Sequence, residues 1–69
     1  MDGKAYIESI DIHKVINKLS DEDIAFEMGM TRRNLVYIRR RVADGGCCTD
    51  KQIKKLKEFC ENNNIVIDS

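Results

Sequence analysis

Five arginines dominate the chemistry available to this 69-residue chain, because Arg32, Arg33, Arg39, Arg40 and Arg41 all fall within ten consecutive positions. A planar guanidinium fork matches a phosphate, or the O6/N7 edge of guanine, better than a lysine point charge does. Thr31, Val36 and Tyr37 are interleaved with them. The two hydroxyls can donate to phosphate or sugar, and the valine can meet a thymine methyl. A charge cluster alone fits a solvated basic helix face equally well, so the surrounding elements decide. The other reactive groups suggest less. Cys47, Cys48 and Cys60 are an odd number, without the spacing of a disulfide framework or a zinc site, and His13 is the one histidine. Cys47 and Cys48 follow Gly45-Gly46 with no activating neighbour and read as inert. No Ser–His–Asp set, defined carboxylate pair or phosphate-cradling glycine loop occurs, and so short a chain has little space for a substrate cavity. No catalytic residue, metal, cofactor or small-molecule substrate is expected, and the chain does not read as an enzyme.

Charge placement sharpens the picture. Twelve basic and twelve acidic side chains give a formal net charge of zero, which argues against a protein that binds any polyanion by bulk charge. Residues 1–30 carry three basic against seven acidic groups, a net −4. Residues 31–41 carry five Arg and no acid, a net +5, and residues 42–69 carry four Lys against five acids, a net −1. A single local basic surface is therefore compatible with overall neutrality. At 42% hydrophobic and 35% charged residues the composition is globular. The length implies one domain, 1–69, with a small core. Met1-Asp2-Gly3-Lys4 does not open a secretory signal, and the longest apolar runs, residues 35–38 and 65–67, are far too short to span a bilayer. The expected setting is the cytoplasm, with reduced thiols and no membrane contact.

The elements that must position these side chains are helices. Asp11 is a candidate cap for a first helix running to Leu19, with Ile12, Val15, Ile16 and Leu19 as its apolar stripe at i, i+3, i+4, i+7. Ser20 with Asp23 forms a capping-box pattern for a short second helix that turns Ile24, Ala25 and Met28 inward and stops at Gly29. Thr31 caps a third helix with Leu35, Ile38 and Val42 on its buried face, ending near Asp44 before Gly45-Gly46. Thr49 with Gln52 opens a fourth, from Asp50 to about Glu61, with Ile53, Leu56, Phe59 and Cys60 inward and three asparagines to end it. Residues 65–67 are β-prone, and residues 5–10 fit either a partner strand or an extension of the first helix. The predicted fold is an all-α four-helix domain with room for short terminal β-strands. Met28 and Met30 read as core, and His13 as a partly exposed helix residue. Lys51, Lys54, Lys55 and Lys57 fit a solvated surface better than a phosphate patch.

Residues 21–40 form the most informative stretch. A small Ala25 allows two helices to cross closely, Gly29 tolerates positive φ in a short turn, and Ile24, Met28, Met30, Leu35 and Ile38 hold the pair together. This segment resembles the helix-turn-helix of the lambda Cro and repressor-like regulators. Acidic Asp21, Glu22 and Asp23 stand where that family opens its second helix with a DNA-contacting Gln, and its fifth helix is missing or replaced by residues 65–67. The resemblance implies a phage, plasmid or bacterial transcription regulator that binds double-stranded operator DNA, usually as a dimer. It places Thr31, Arg32, Arg33, Val36, Tyr37 and Arg40 on the solvent-facing slots of a recognition helix; by position Arg39, Arg40 and Arg41 suit backbone contacts, with one of them open to the groove. The expected function is sequence-specific repression by a homodimer that occludes polymerase. Two other readings stay open: an excisionase-type architectural protein that bends its site, and a protein-interaction module using the acidic first thirty residues.

Overall fold

Four helices account for most of the chain: α1 (Lys4–Ile16), α2 (Asp21–Glu27), α3 (Arg32–Ala43) and α4 (Asp50–Asn62). The structure, a computed structural model, describes residues 3–67. The all-α four-helix expectation holds, and no strand occurs among the described residues. Three helices start where their caps predict. Ser20 Oγ accepts from the Asp23 amide at 3.2 Å while Asp23 accepts from the Ser20 amide at 3.0 Å. Thr49 and Gln52 make the same reciprocal pair at the head of α4. Thr31 Oγ1 accepts from the Asn34 amide at 3.1 Å to open α3. Each cap satisfies an amide that the helical ladder leaves without a partner, worth about 1 kcal/mol.

All four helices also end alike. The residue after each C-cap has positive φ: Lys18, Gly29, Gly45 and Asn64. The next amide then reaches back five residues: Leu19 to Lys14, Met30 to Ala25, Gly46 to Arg41 and Ile65 to Cys60, at 2.8–2.9 Å. This is the Schellman closure, which occupies carbonyls left over at the helix end. Glycine and asparagine tolerate the left-handed region, but Lys18 at φ 54° works against its own Cβ. Lys18→Gly is expected to stabilise the fold by about 0.5–1 kcal/mol, read as a raised midpoint in thermal or urea unfolding.

The first helix differs from its prediction. It begins at Lys4 and buries Tyr6, Ile7 and Ile10, so residues 5–10 are helical and form no strand. Asp11 lies inside the helix instead of capping it. Ile12, Val15 and Ile16 are exposed at 61, 75 and 72%, while Leu19 packs half-buried after the helix has ended. Two apolar series compete on this helix. Burying Tyr6, Ile7 and Ile10 also directs Asp11 and Lys14 toward charged partners on α2 and α3, and that combination sets the helix's rotation. The tail makes no strand either; Ile65 and Ile67 pack against the core and Val66 points out.

One hydrophobic core joins the helices, with Ile10, Ile24, Leu35, Ile38, Leu56 and Cys60 fully buried at its centre. A fully buried side chain of this size contributes about 1.5–3 kcal/mol. No polar or charged residue is buried among the described residues. Ala25 sits with Ile24 on the buried face of α2, and Leu35, Ile38 and Val42 line that of α3. Met28 is buried and Met30 half-buried beside them. Gly29 at φ 72° has open space around it, so its conformational freedom alone explains its place between α2 and α3.

Candidate nucleic-acid interface

Burial of Leu35, Ile38 and Val42 leaves the opposite side of α3 to solvent. Thr31, Arg32, Arg33, Val36, Tyr37, Arg40 and Arg41 are all exposed there, which brings seven of the eight singled-out residues onto one accessible surface. Arg32, Arg33 and Arg40 make no hydrogen bond or ion pair within the described residues, so their guanidinium donors are free for an external acceptor. The first turn of α3 is chemically odd. A helix N-terminus carries a partial positive charge that favours acids and disfavours cations. The head of α2 obeys this rule with Asp21, Glu22 and Asp23, whereas α3 has no acid in its first turn and opens with Arg32 and Arg33. Local helix electrostatics therefore give no reason for these two arginines. Amides of this first turn that lack a helical partner can serve the same anion as the guanidinium groups.

The C-terminal half of the face is more organised. Arg41 Nε donates to the Cys47 carbonyl at 2.8 Å, and its Nη1 lies 3.4 Å from the Tyr37 hydroxyl. Tyr37, Arg40, Arg41, Asp44 and Gly46 line a shallow concavity of about 330 Å³. Arg40, the remaining donors of Arg41 and the Tyr37 phenol offer hydrogen bonds to an anionic acceptor there, opposed by the Asp44 carboxylate on the same rim.

Arg39 has a different duty from the backbone contact expected of it. Its Nε and Nη2 donate to Asp11 Oδ1 at 3.2 and 2.8 Å, and Nη1 and Nη2 donate to the two Asp21 oxygens at 3.0 and 2.9 Å. Lys14 Nζ also donates to Asp21, at 2.8 Å. This half-buried group ties α1, α2 and α3 together. Hydrogen bonding from Arg39 is the main cause that holds the Asp21 carboxyl down at about 2, with Lys14 assisting against the opposing effect of burial. Asp21 in turn raises the Arg39 guanidinium above its ordinary value. Sequence spacing did not reveal this clasp, because its members lie 28 and 18 residues apart. The available sequence signal was that Arg39 stands at helical spacing from Leu35 and Val42, on the flank of the buried stripe.

The sign of the acid response follows. A carboxyl depressed in the folded state adds stability that is complete above its unfolded value, near 4, and is lost as pH falls through the folded one. Unfolding between pH 5 and pH 2 is expected to show a loss of about 1–2 kcal/mol from Asp21, discounted for partial solvent screening. Asp21→Asn should flatten that part of the profile. Asp23 is also held low, chiefly by the Ser20 amide, at a fully exposed site.

Several remaining groups have structural places. Lys55 Nζ donates to the Gly29 carbonyl at 3.3 Å, tying α4 to the turn between α2 and α3, whereas Lys51, Lys54 and Lys57 face solvent. His13 packs edge-on against Phe59, with ring centroids 5.8 Å apart. Burial pushes the Cys60 thiol up, which keeps it protonated and unreactive. Among the described residues no group of three or more His, Cys, Asp or Glu is arranged to hold a metal, and no helix is long and apolar enough to cross a membrane. Comparison with protein-family models, curated proteins and solved structures finds no match.

Proposed function

We propose that this chain binds double-stranded DNA sequence-specifically through the exposed face of α3, with α2 and α3 serving as a helix-turn-helix, and that it acts as a small transcriptional repressor. The observation that carries this reading is the pair Arg32 and Arg33. They are exposed, make no hydrogen bond or ion pair within the described residues and stand at a helix end where cations are disfavoured. In a major groove that end of the helix meets base edges, and each fork can take guanine O6 and N7 together. Val36 contributes an apolar contact, Thr31 and Tyr37 hydroxyl donors, and Arg40 and Arg41 phosphate contacts. Arg39 is left out of the interface because Asp11 and Asp21 neutralise it. A helix of this size reads few bases, so specific binding calls for two copies on half-sites about one helical turn apart. Bound at a promoter, such a pair excludes polymerase.

Selection of bound duplexes from a random pool tests the reading. The expected result is an enriched palindromic sequence with affinity falling steeply as salt rises; failure to enrich any sequence overturns it. A second reading, docking to a basic protein partner, is favoured by one observation. Phe26 is 86% exposed on α2 beside Glu22 and Asp23, a feature that sequence patterning did not single out. In that case retention depends on Phe26 and no DNA sequence is enriched.

A further inference from the structure

We propose that the outward face of α1 is a self-association surface, occupied by the same face of a second, antiparallel copy of this chain. Ile12, Val15 and Ile16 lie on the side of α1 away from its buried residues, and Val66 of the tail is 86% exposed. Ile12, Ile16 and Val66 line one groove together with Ile65, Ser9, His13 and Asn17, and Val15 lies outside that lining on the same exposed side of α1. None of the described residues covers it. The apolar side of α4 is already spent on the core through Leu56, Phe59 and Cys60, so it offers no rival interface.

Two features select a second copy as the occupant. The first is area: the four exposed side chains offer on the order of 500 Å² per copy, so a symmetric pair buries roughly 1,000 Å², about the lower bound for a specific interface. The second is charge. Glu8 stands one turn before Ile12, and Lys18 follows the helix end; both are exposed and neither has an ion-pair partner within the described residues. Antiparallel pairing of α1 with itself sets each Glu8 toward the other copy's Lys18, giving the self-complementary contact that a two-fold axis requires. The surface shares no residue with the arginine face of α3. This deepens the DNA reading by locating the contact between two half-site binders.

Sedimentation equilibrium of the full chain without DNA tests it separately from DNA binding. The wild type is expected to dimerise reversibly, with Ile12→Glu and Ile16→Glu each raising the dissociation constant by about tenfold or more at unchanged helical circular dichroism. Glu8→Lys and Lys18→Glu should each weaken association, and the double variant should restore it. A wild type that stays monomeric leaves the face to a foreign partner and overturns the proposal. So does a dimer indifferent to Ile12→Glu and Ile16→Glu, or a charge swap without rescue.

Discussion

Arg39→Ala is expected to destabilise the fold by about 2 kcal/mol, a drop of roughly 8–16 °C in midpoint temperature for a domain this small. The size follows from what the arginine leaves behind. Asp21, with a side chain only 16% exposed, would keep Lys14 alone, and Asp11 would lose both of its contacts. A carboxylate withdrawn from water without its partner costs more than the pair contributed while intact. Arg40→Ala provides the contrast. Arg40 is the next residue along, exposed and without a hydrogen-bond or ion-pair partner among the described residues, so its removal should change stability by no more than about 0.5 kcal/mol. Replacing the whole clasp with Arg39→Met, Lys14→Met, Asp11→Asn and Asp21→Asn should recover much of the loss, since no charge is then stranded. Urea unfolding followed by circular dichroism reads all of these variants.

Arg32→Ala and Arg33→Ala are expected to separate stability from binding. Removing a cation from the positive end of α3 should leave the fold unchanged or stabilise it by about 0.3–1 kcal/mol. On the selected DNA site, each substitution that removes a bidentate guanine contact should forfeit about 1–3 kcal/mol of discrimination, roughly 5- to 150-fold. The preference at one base position relaxes while non-specific retention persists. Arg40→Ala should instead weaken all sequences alike and lower the salt slope by about one. Gel shifts over a salt series, paired with thermal unfolding, distinguish the two patterns. A variant that loses discrimination while the fold becomes no less stable cannot be explained as an unfolded protein.

These expectations rest on parts of the chain that were unequally legible in its sequence. Helices α2, α3 and α4 could be placed because their signals are local: a cap, an acid or amide three residues on, an apolar face at helical spacing and a breaker. The exposed arginine face followed from the same periodicity, since burying Leu35, Ile38 and Val42 leaves few choices for the rest. The first helix was harder. Its residues carry two apolar series, and only contact with α3 and α4 decides which is buried. Gly3, with a left-handed backbone and no side-chain cap, starts α1 without the usual sequence mark, while Asp11 resembles a cap but serves as an ion-pair acceptor. Arg39 falls beside the buried stripe, at i+4 from Leu35, and its partners Asp11 and Asp21 became visible only in the tertiary structure. Residues 65–67 carry a strand pattern with no neighbouring strand to pair with, so it shows only as alternating burial.

The four left-handed closures that end the helices bear on how fast the chain finds its fold. Each reverses the backbone within two residues, using hydrogen bonds between groups five or fewer positions apart. Between α2 and α3 the closure folds the next helix directly onto its predecessor, whereas α1 meets α3 and α4 only across longer stretches of chain, the slower entropic step. The chain also contains no proline, so no prolyl isomer has to be sorted on the timescale of seconds. Refolding is expected to be as fast as in other small helical domains, milliseconds or less, with no proline-limited slow phase when followed by stopped-flow fluorescence or circular dichroism. A protein that returns this quickly after opening exposes its apolar groups only briefly, even when its equilibrium stability is modest.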